Sequence, residues 1–408
     1  MHTSKIRVAI VNYKPLHLVS DGEEKAVETI INATNMSRLN LSIKLFVLDS
    51  CVDNNKISKL YLQQIIPSSK YLETGLSAKR IMDFMSLIFF GYKYYSEKLN
   101  RNLDLFETMS AYQPDIIITV TSNLHGFIKK FKTSHPNVKI VSYMDSPKLI
   151  SDSLSGLNAI NTPKLMTRFL ALLIKRRYIS YYKRNYFDIA LNSDAIVLAS
   201  EQDKHELSSF LGKELHKKMF AIPPVIASPN KSIKVKNHKT SSVLFIGSSN
   251  YFPNQEAISL IKNSFAPKLP NTTFILAGNG LKTLTENNIK SIGNVKDLDD
   301  LIENADICIA PLLHGSGIKQ KVLSYLSHGK PVVGTSIAFN GFDAINGSNA
   351  IVEDDIEKFP FLISHLQKNT RLFKKLQKNS KRLANQFSID IISEKWDNLL
   401  SSVLRELF

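Results

Sequence analysis

Short, nearly uninterrupted apolar runs alternate with stretches of helical periodicity along much of the chain. In the first half the apolar runs lie at 7–12, 43–48, 115–120, 139–144 and 195–199. Runs of this length without polar alternation are typical of strands that are covered on both faces of a parallel sheet. Helical patterns separate them at 23–36, 102–111 and 202–211. The alternation predicts parallel α/β construction.

A second series of the same kind follows a polar, basic segment at 228–242, whose composition predicts an interdomain linker. Its predicted strands are 243–247, 274–278, 307–311, 331–335 and 350–352, and its predicted helices include 255–263, 298–304 and 319–327. Helical segments occupy 356–408. We therefore predict an α/β protein of two doubly wound, Rossmann-like domains that face a cleft. The predicted bounds are 1–230, a linker at 231–242, 243–385, and a terminal helix at 386–408 that returns to the first domain.

Length and composition agree with two ordinary globular domains. The chain has 408 residues, of which 43% are hydrophobic and 22% charged, and one core seldom grows to that size. No window reaches the ~20 apolar residues that span a bilayer, and the first twelve residues lack a signal-peptide pattern. The two cysteines, Cys51 and Cys308, give neither a disulfide framework nor metal-ligand spacing. We expect a cytoplasmic protein.

The charge balance adds a preference for anionic partners. Lysine and arginine total 52 against 36 acidic residues, for a net charge of +16. Such a balance favours phosphorylated small molecules, an anionic membrane or nucleic acid, although a solvated lysine-rich surface explains it equally well. The chain has no zinc-finger spacing, RNP-type aromatic motif or basic block, so nucleic acid is not an expected partner.

The segment 310–333 carries the clearest chemistry. A predicted strand ends in the loop Gly315-Ser316-Gly317, which opens a predicted helix that stops at Gly329. Glycines at a helix N-terminus let the backbone approach an anion closely, with free N–H groups directed at it. Lys319 and Lys321 lie in the first two turns and add positive charge. A tight turn beside two solvated lysines is the alternative reading.

Five blocks in order extend this signal: VLFIGSSNYFPNQEAI, FILAGNG, GNVKDL, ADICIAP and GSGIKQKVLSYLSHGKPVVGT. Their sequence resembles the donor half of GT-B glycosyltransferases, most closely the large retaining group called family 4. The resemblance covers about 243–343, whereas the first half resembles the family in architecture and in the fragment ASEQDKHEL at 199–207. It implies that 243–385 binds a nucleoside-diphosphate sugar and that 1–230 binds the acceptor.

The resemblance also implies residue roles. Lys319 and Lys321, with the Gly315–Gly317 loop, would hold the diphosphate, and the backbone near Gly293 and Val295 would face the base. The full set of expected donor-binding residues is Gly247, Gly293, Val295, His314, Gly315, Ser316, Gly317, Ile318 and Ser324. Two of these depart from the family, which has a glutamate for the ribose hydroxyls at Ser324 and often another for the transferred sugar at Ser316.

In the first domain the expected site residues are fewer and each has a structural alternative. Asp21 and Gly22 lie where relatives place a glycine loop near the acceptor, although a loop aspartate also caps helices. His125 and Asp145 each follow a predicted strand, and a turn or a structural histidine explains them as well. With Lys319 and Lys321, Asp145 completes the residues expected at the reaction centre.

These features predict a retaining, metal-independent glycosyltransferase for surface polysaccharide or glycoconjugate synthesis. It would move a sugar from a nucleoside-diphosphate sugar to a glycan or lipid-linked acceptor, with no cofactor. A nucleotide-sugar epimerase and a non-catalytic sugar-nucleotide-binding subunit are the alternatives. Two apolar, basic stretches at 81–95 and 164–184 are either core helices or a peripheral contact with the inner face of an anionic membrane.

Overall fold

The computed structural model describes residues 5–12, 22–49, 63–67, 103–120, 124–144, 165–226, 242–295 and 298–405. The chain divides into two compact units. The first comprises Met1–Pro224 together with Ile389–Phe408, and the second is Val225–Ser388.

A seven-stranded parallel sheet organises the first unit. Its strands are β1 (Ile6–Asn12), β2 (Leu41–Asp49), β3 (Gln63–Pro67), β4 (Ile116–Thr119), β5 (Lys139–Tyr143), β6 (Ala195–Leu198) and β7 (Met219–Ala221). The spatial order is β3-β2-β1-β4-β5-β6-β7, with every pairing parallel. The order reverses beside β1, as in a doubly wound sheet, and the central strands β4 and β6 are fully buried along their length. The predicted apolar runs therefore coincide with strands covered on both faces.

Helices connect these strands. They are α1 (Gly22–Asn35), α2 (Leu103–Tyr112), α3 (His125–Ser134), α4 (Leu165–Asn192) and α5 (Glu201–Leu211). Ser200 caps α5, since its hydroxyl accepts the N–H of Asp203. The core of the unit lies between the strands and the apolar faces of α2, α3 and the end of α4, where Tyr186 and Ile189 are buried.

The second unit repeats the plan. Its strands are β8 (Ser242–Ile246), β9 (Thr273–Ala277), β10 (Leu284–Glu286), β11 (Ile289–Gly293), β12 (Ile307–Ala310), β13 (Val332–Gly334) and β14 (Ile351–Val352). They are ordered β10-β11-β9-β8-β12-β13-β14, and only β10, at an edge, pairs antiparallel. The predicted α/β class with two doubly wound parallel sheets is confirmed.

The helices of this unit are α6 (Phe252–Leu260), which continues through a π-turn at Ile261–Phe265, α7 (Leu298–Asn304), α8 (Gln320–Ser327), α9 (Phe359–Lys368) and α10 (Thr370–Ala384). The last helix of the chain, α11 (Ile389–Arg405), belongs to the first unit. It packs with α1, and Asp397 accepts hydrogen bonds from Ser37 and from the N–H of Arg38. Among the described helices none is both long and apolar enough to cross a bilayer.

Candidate functional site

A glycine loop and a helix N-terminus meet at the carboxyl end of β12. Gly315 and Gly317 have φ of +130° and +65°, values that disfavour any residue with a Cβ. The helix α8 begins at Gln320, with Lys319 as an extended N-cap residue and no side chain capping the N–H groups of the first turn. Those N–H groups and the positive end of the helix are the features that bind anions.

Lys319 closes the loop. Its ammonium donates hydrogen bonds to the carbonyl oxygens of Ser316 at 2.9 Å and Gly317 at 2.8 Å. A Cβ on Gly315 would lie 3.2 Å from Cε of Lys319, so the loop and this side chain fit closely. The two lysines, which look equivalent in the sequence, therefore hold different positions, and Lys319 stabilises the shape of the loop.

Lys321 points away from the loop carbonyls, toward β8 and α6. Its ammonium donates to Oδ1 of Asn254 at 2.6 Å and lies 4.3 Å from the ring centroid of Phe245. A Cβ on Gly247 would come within 2.9 Å of it. Loss of solvent around the ammonium, with the nearby charge of Lys319, lowers the pKa of Lys321 to about 7. An incoming anion would meet a cation that has already lost part of its hydration.

Asn254 joins Lys321 to the loop that follows β8. While Oδ1 accepts from Lys321, Nδ2 donates to the carbonyl oxygen of Ser248 at 3.0 Å. The residue is buried in the first turn of α6, where Pro253 occupies an early position. Asn254 is not among the site residues that the sequence predicts. The signal was present in the Pro-Asn pair of the first family block, but its partner lies 67 positions away.

His314 meets an acidic partner that the sequence prediction also omits. Its Nε2 lies 3.7 Å from Oε2 of Glu256 on α6, and its ring stacks on Phe252 with centroids 6.1 Å apart. Partial burial raises the pKa of Glu256, and the charge of His314 opposes that rise. Oε2 of Glu256 is buried without a hydrogen-bond partner. A carboxylate oxygen available to a donor therefore lies beside the residue that precedes the glycine loop.

The remaining donor-side residues occupy the same edge of the sheet. Gly247 and Gly278 directly follow β8 and β9, and Gly293 ends β11. The backbones approach so closely that a Cβ on Gly278 would lie 2.2 Å from the carbonyl oxygen of Gly247. Val295 lies two residues after Gly293, and Ile318 is partly exposed at the end of the glycine loop. The structure thus brings the donor-side set to one edge of one unit, and the roles assigned to these residues stay predictions.

Ser324 lies on α8, one turn beyond Lys321, and is partly exposed. Its carbonyl oxygen accepts hydrogen bonds from Nδ1 of His328 and from the hydroxyl of Ser327, both at 2.8 Å. A serine hydroxyl is shorter than a glutamate carboxylate and carries no charge, so it cannot form a two-oxygen contact with a diol.

The predicted residues of the first unit are described in part. Gly22 is the first residue of α1, and His125 is the first residue of α3, with a partly exposed side chain. Asp21 and Asp145 lie outside the described residues, as does the stretch 81–95. Their roles, like those of Gly22 and His125, stay predictions.

Solved structures identify the fold. Sucrose-phosphate synthase from Thermosynechococcus elongatus matches with a TM-score of 0.73 and 12% identity, over 98% of this chain and all of the other. HepE of Anabaena, in complex with UDP-glucose, matches with a TM-score of 0.65 and 12% identity, over 97% and 100% of the two chains. The lipopolysaccharide outer core galactosyltransferase WaaB in its apo form gives 0.63 and 12% identity, over 97% and 99%. The fold is that of GT-B glycosyltransferases.

Sequence comparison identifies the domain that holds the site. Residues 240–369 match the family model of Glycosyl transferases group 1, and the resemblance of this segment to glycosyltransferases that was read from the sequence is confirmed. An uncharacterized 44.6 kDa protein in the cps region of Klebsiella pneumoniae is 24% identical over 257 residues. That match spans 57% of this chain and 62% of the relative.

Proposed function

We propose that the protein is a retaining glycosyltransferase of family 4 that moves a sugar from a nucleoside-diphosphate sugar to a glycan or lipid-linked acceptor. One observation carries the proposal: the loop Gly315–Gly317, the uncapped start of α8 and the ammonium of Lys321 meet at the carboxyl edge of the second sheet. Ligands bind at that edge in open α/β sheets.

The arrangement suits a diphosphate in both charge and shape. Glycines at 315 and 317 leave the loop without side chains, and a Cβ on Gly317 would meet nothing within 4 Å, so phosphate oxygens can approach the backbone. The positive end of α8 and Lys321 supply charge from two directions. In sugar transfer the bond from the anomeric carbon to the diphosphate oxygen breaks, and negative charge develops on the departing diphosphate. Fixed donors already aimed at that position lower the barrier.

The same arrangement supports a retaining reaction without a metal ion. With lysine and helix charge on the leaving group, no metal ion is needed for its departure. The leaving phosphate oxygen can accept the acceptor's hydroxyl proton on the face that the acceptor attacks, so no strong protein base is required.

The proposed donor, acceptor and pathway are supported by the comparisons and by the net charge. A relative encoded in a cps region supports a role in surface polysaccharide synthesis, and the UDP-glucose complex of HepE makes UDP-sugars the first donors to test. The net charge of +16 fits peripheral binding to an anionic membrane, where a lipid-linked acceptor would be located.

Ser324 favours a second candidate, a sugar-nucleotide-binding subunit that does not transfer sugar. A charged hydrogen bond contributes about 1.5–3 kcal/mol, and the serine forgoes the carboxylate contact that the family makes with ribose. Binding of a nucleotide sugar without turnover would identify this candidate.

Calorimetric titration with UDP, GDP and their sugars tests the proposal, followed by mass spectrometry of the products. We expect one nucleotide class to bind and its sugar to be released or transferred. Lys321→Met, which keeps the length and removes the charge, should weaken binding about 10- to 100-fold, the equivalent of one charge-assisted contact. Lys262→Met, at an exposed lysine of the same unit, is the control. No nucleotide binding, or equal affinities for the two variants, would overturn the proposal.

A further inference from the structure

Lys321 is a flexible side chain held in one place by a single polar partner. Four-carbon lysine stems sample many rotamers, yet this ammonium lies within 2.6 Å of Oδ1 of Asn254 and 4.3 Å from the ring centroid of Phe245. The ring fixes one side of the ammonium, and the amide fixes its direction.

Asn254 is itself held rigidly, so it can act as a reference point. It is buried, its own N–H donates to the carbonyl oxygen of Tyr251 at 3.0 Å, and its Nδ2 donates to that of Ser248. A Cβ on Gly247 would lie 2.7 Å from its Cγ. Only a glycine at 247 admits the amide at this place, and only the amide oxygen, not the amide nitrogen, can accept from an ammonium.

We propose that Asn254 is a positioning residue for nucleoside-diphosphate binding, because its side chain holds the Lys321 ammonium against the end of β8, ready for an anion at the glycine loop. The inference rests on the proposed function of this edge. It adds a residue on α6 that need not touch the ligand and acts through Lys321.

The surroundings of Lys321 allow its charge state to report on Asn254. Among the described residues, the charged group that shifts the pKa of Lys321 is Lys319, on the loop side. From β8 it is faced by the uncharged ring of Phe245. The acidic residue of α6 nearest in sequence, Glu256, lies against His314. A carboxylate at 254 would therefore be a new charge in direct contact with the ammonium.

Asn254→Asp tests the proposal because it keeps the shape and changes the charge. The new carboxylate should raise the pKa of Lys321 and compete with the diphosphate for its ammonium, so that UDP binds at least about tenfold more weakly. Asn254→Ser, whose hydroxyl is too short to reach Lys321, should weaken UDP binding without added charge. Gln255→Leu is the matched control, since Gln255 Nε2 donates to the carbonyl oxygen of Ser249 in the same loop at 2.6 Å but does not hold Lys321.

A second readout does not need a nucleotide. Acetylation of Lys321 by acetic anhydride, followed by peptide mass spectrometry across pH, reports its neutral fraction. We expect the midpoint to move to higher pH in Asn254→Asp and to stay in place in Gln255→Leu. If wild type binds no nucleotide but the midpoint moves, the proposed function fails and the coupling stands. If the midpoint stays, or if Gln255→Leu weakens UDP binding as much as the Asn254 variants do, Asn254 only anchors the loop and the inference is wrong.

Discussion

Replacing Lys321 by methionine should make the protein more stable at neutral pH while it weakens diphosphate binding. The folded protein holds this ammonium away from solvent and lowers its pKa from 10.5 to about 7. Since one pKa unit corresponds to about 1.4 kcal/mol, keeping the side chain charged costs the folded state up to about 5 kcal/mol. Methionine removes that cost and keeps an apolar stem of similar length.

Two losses offset part of the gain. The variant leaves Oδ1 of Asn254 without its donor, which costs about 1–3 kcal/mol, and it removes the contact with the ring of Phe245, which contributes about 0.5–2 kcal/mol. The expected net gain is therefore about 2 kcal/mol, within a range of about 0 to 3.5 kcal/mol, too small to be decisive alone. The pH dependence is the sharper quantity, because its slope follows from proton binding at Lys321 and not from the sum of these three terms.

The sign follows from proton binding. Between about pH 7 and 10.5 the unfolded chain binds a proton at Lys321 that the folded chain does not, so the stability of wild type rises with pH across that window. The variant lacks this contribution. Its advantage should therefore be largest at about pH 7 and below, fall by up to about 1.4 kcal/mol per pH unit, and become a deficit at about pH 8 to 9.

Urea unfolding followed by far-ultraviolet circular dichroism at several pH values measures this difference. Lys262→Met, at an exposed site, should show no comparable trend. A difference between Lys321→Met and wild type that stays constant with pH would refute the assignment of a desolvated ammonium to Lys321.

Three further outcomes are expected. Gly247→Ala places a Cβ 2.7 Å from Cγ of Asn254 and 2.9 Å from Nζ of Lys321, so it should cost about 1–3 kcal/mol of stability and weaken UDP binding. The control is Gly347→Ala, which is strained at φ +68° but has no atom within 4 Å of the new Cβ. This control should cost stability and leave UDP affinity unchanged. Ser324→Glu should tighten UDP binding by up to about tenfold, and an equal gain with 2′,3′-dideoxy-UDP would show that the ribose hydroxyls are not involved. The protein should cosediment with anionic liposomes at low salt and be released at high salt; the absence of salt-sensitive binding would remove the membrane partner.

Strands buried on both faces were predictable, whereas strands with exposed positions such as β10 and β11 were not, for a physical reason. The runs that became β4, β6 and β12 are buried on both faces, so their apolar residues are continuous and visible in the sequence. By contrast, β10 is exposed at all three residues, and β11 mixes exposed and buried positions. Their segments carry no continuous apolar run, so both strands were missed.

The site was predictable as a segment and not as a set of contacts. Glycine spacing before a helix indicated the loop because backbone conformation is encoded locally. The difference in position between Lys319 and Lys321 depends on Asn254, which lies on another helix, α6. A partner 67 residues away leaves no local pattern, and neither does Glu256 beside His314.

The blocks that carry the family resemblance contain residues that brace the fold and residues that line the candidate site. This difference explains why Ser324 can replace the family's glutamate while the domain remains recognisable. Asp306 of the ADICIAP block accepts from the N–H and hydroxyl of Ser242. Tyr325, next to Ser324, is fully buried, and its hydroxyl accepts the N–H of Ile246 at 2.7 Å.

Lys330 belongs to the same bracing group, since it donates to the carbonyl oxygens of Glu303 and Ala305, both at 2.9 Å. Each of these residues pairs with backbone groups that are buried or partly buried. Leaving a buried group unpaired costs about 1–3 kcal/mol, so the fold depends on these residues whatever ligand binds. Among the described residues, the side chains of Ser316, in the glycine loop, and Ser324, on α8, make no such bracing hydrogen bond. They can change with the ligand, and it is at these two positions that the chemistry of the donor has to be tested.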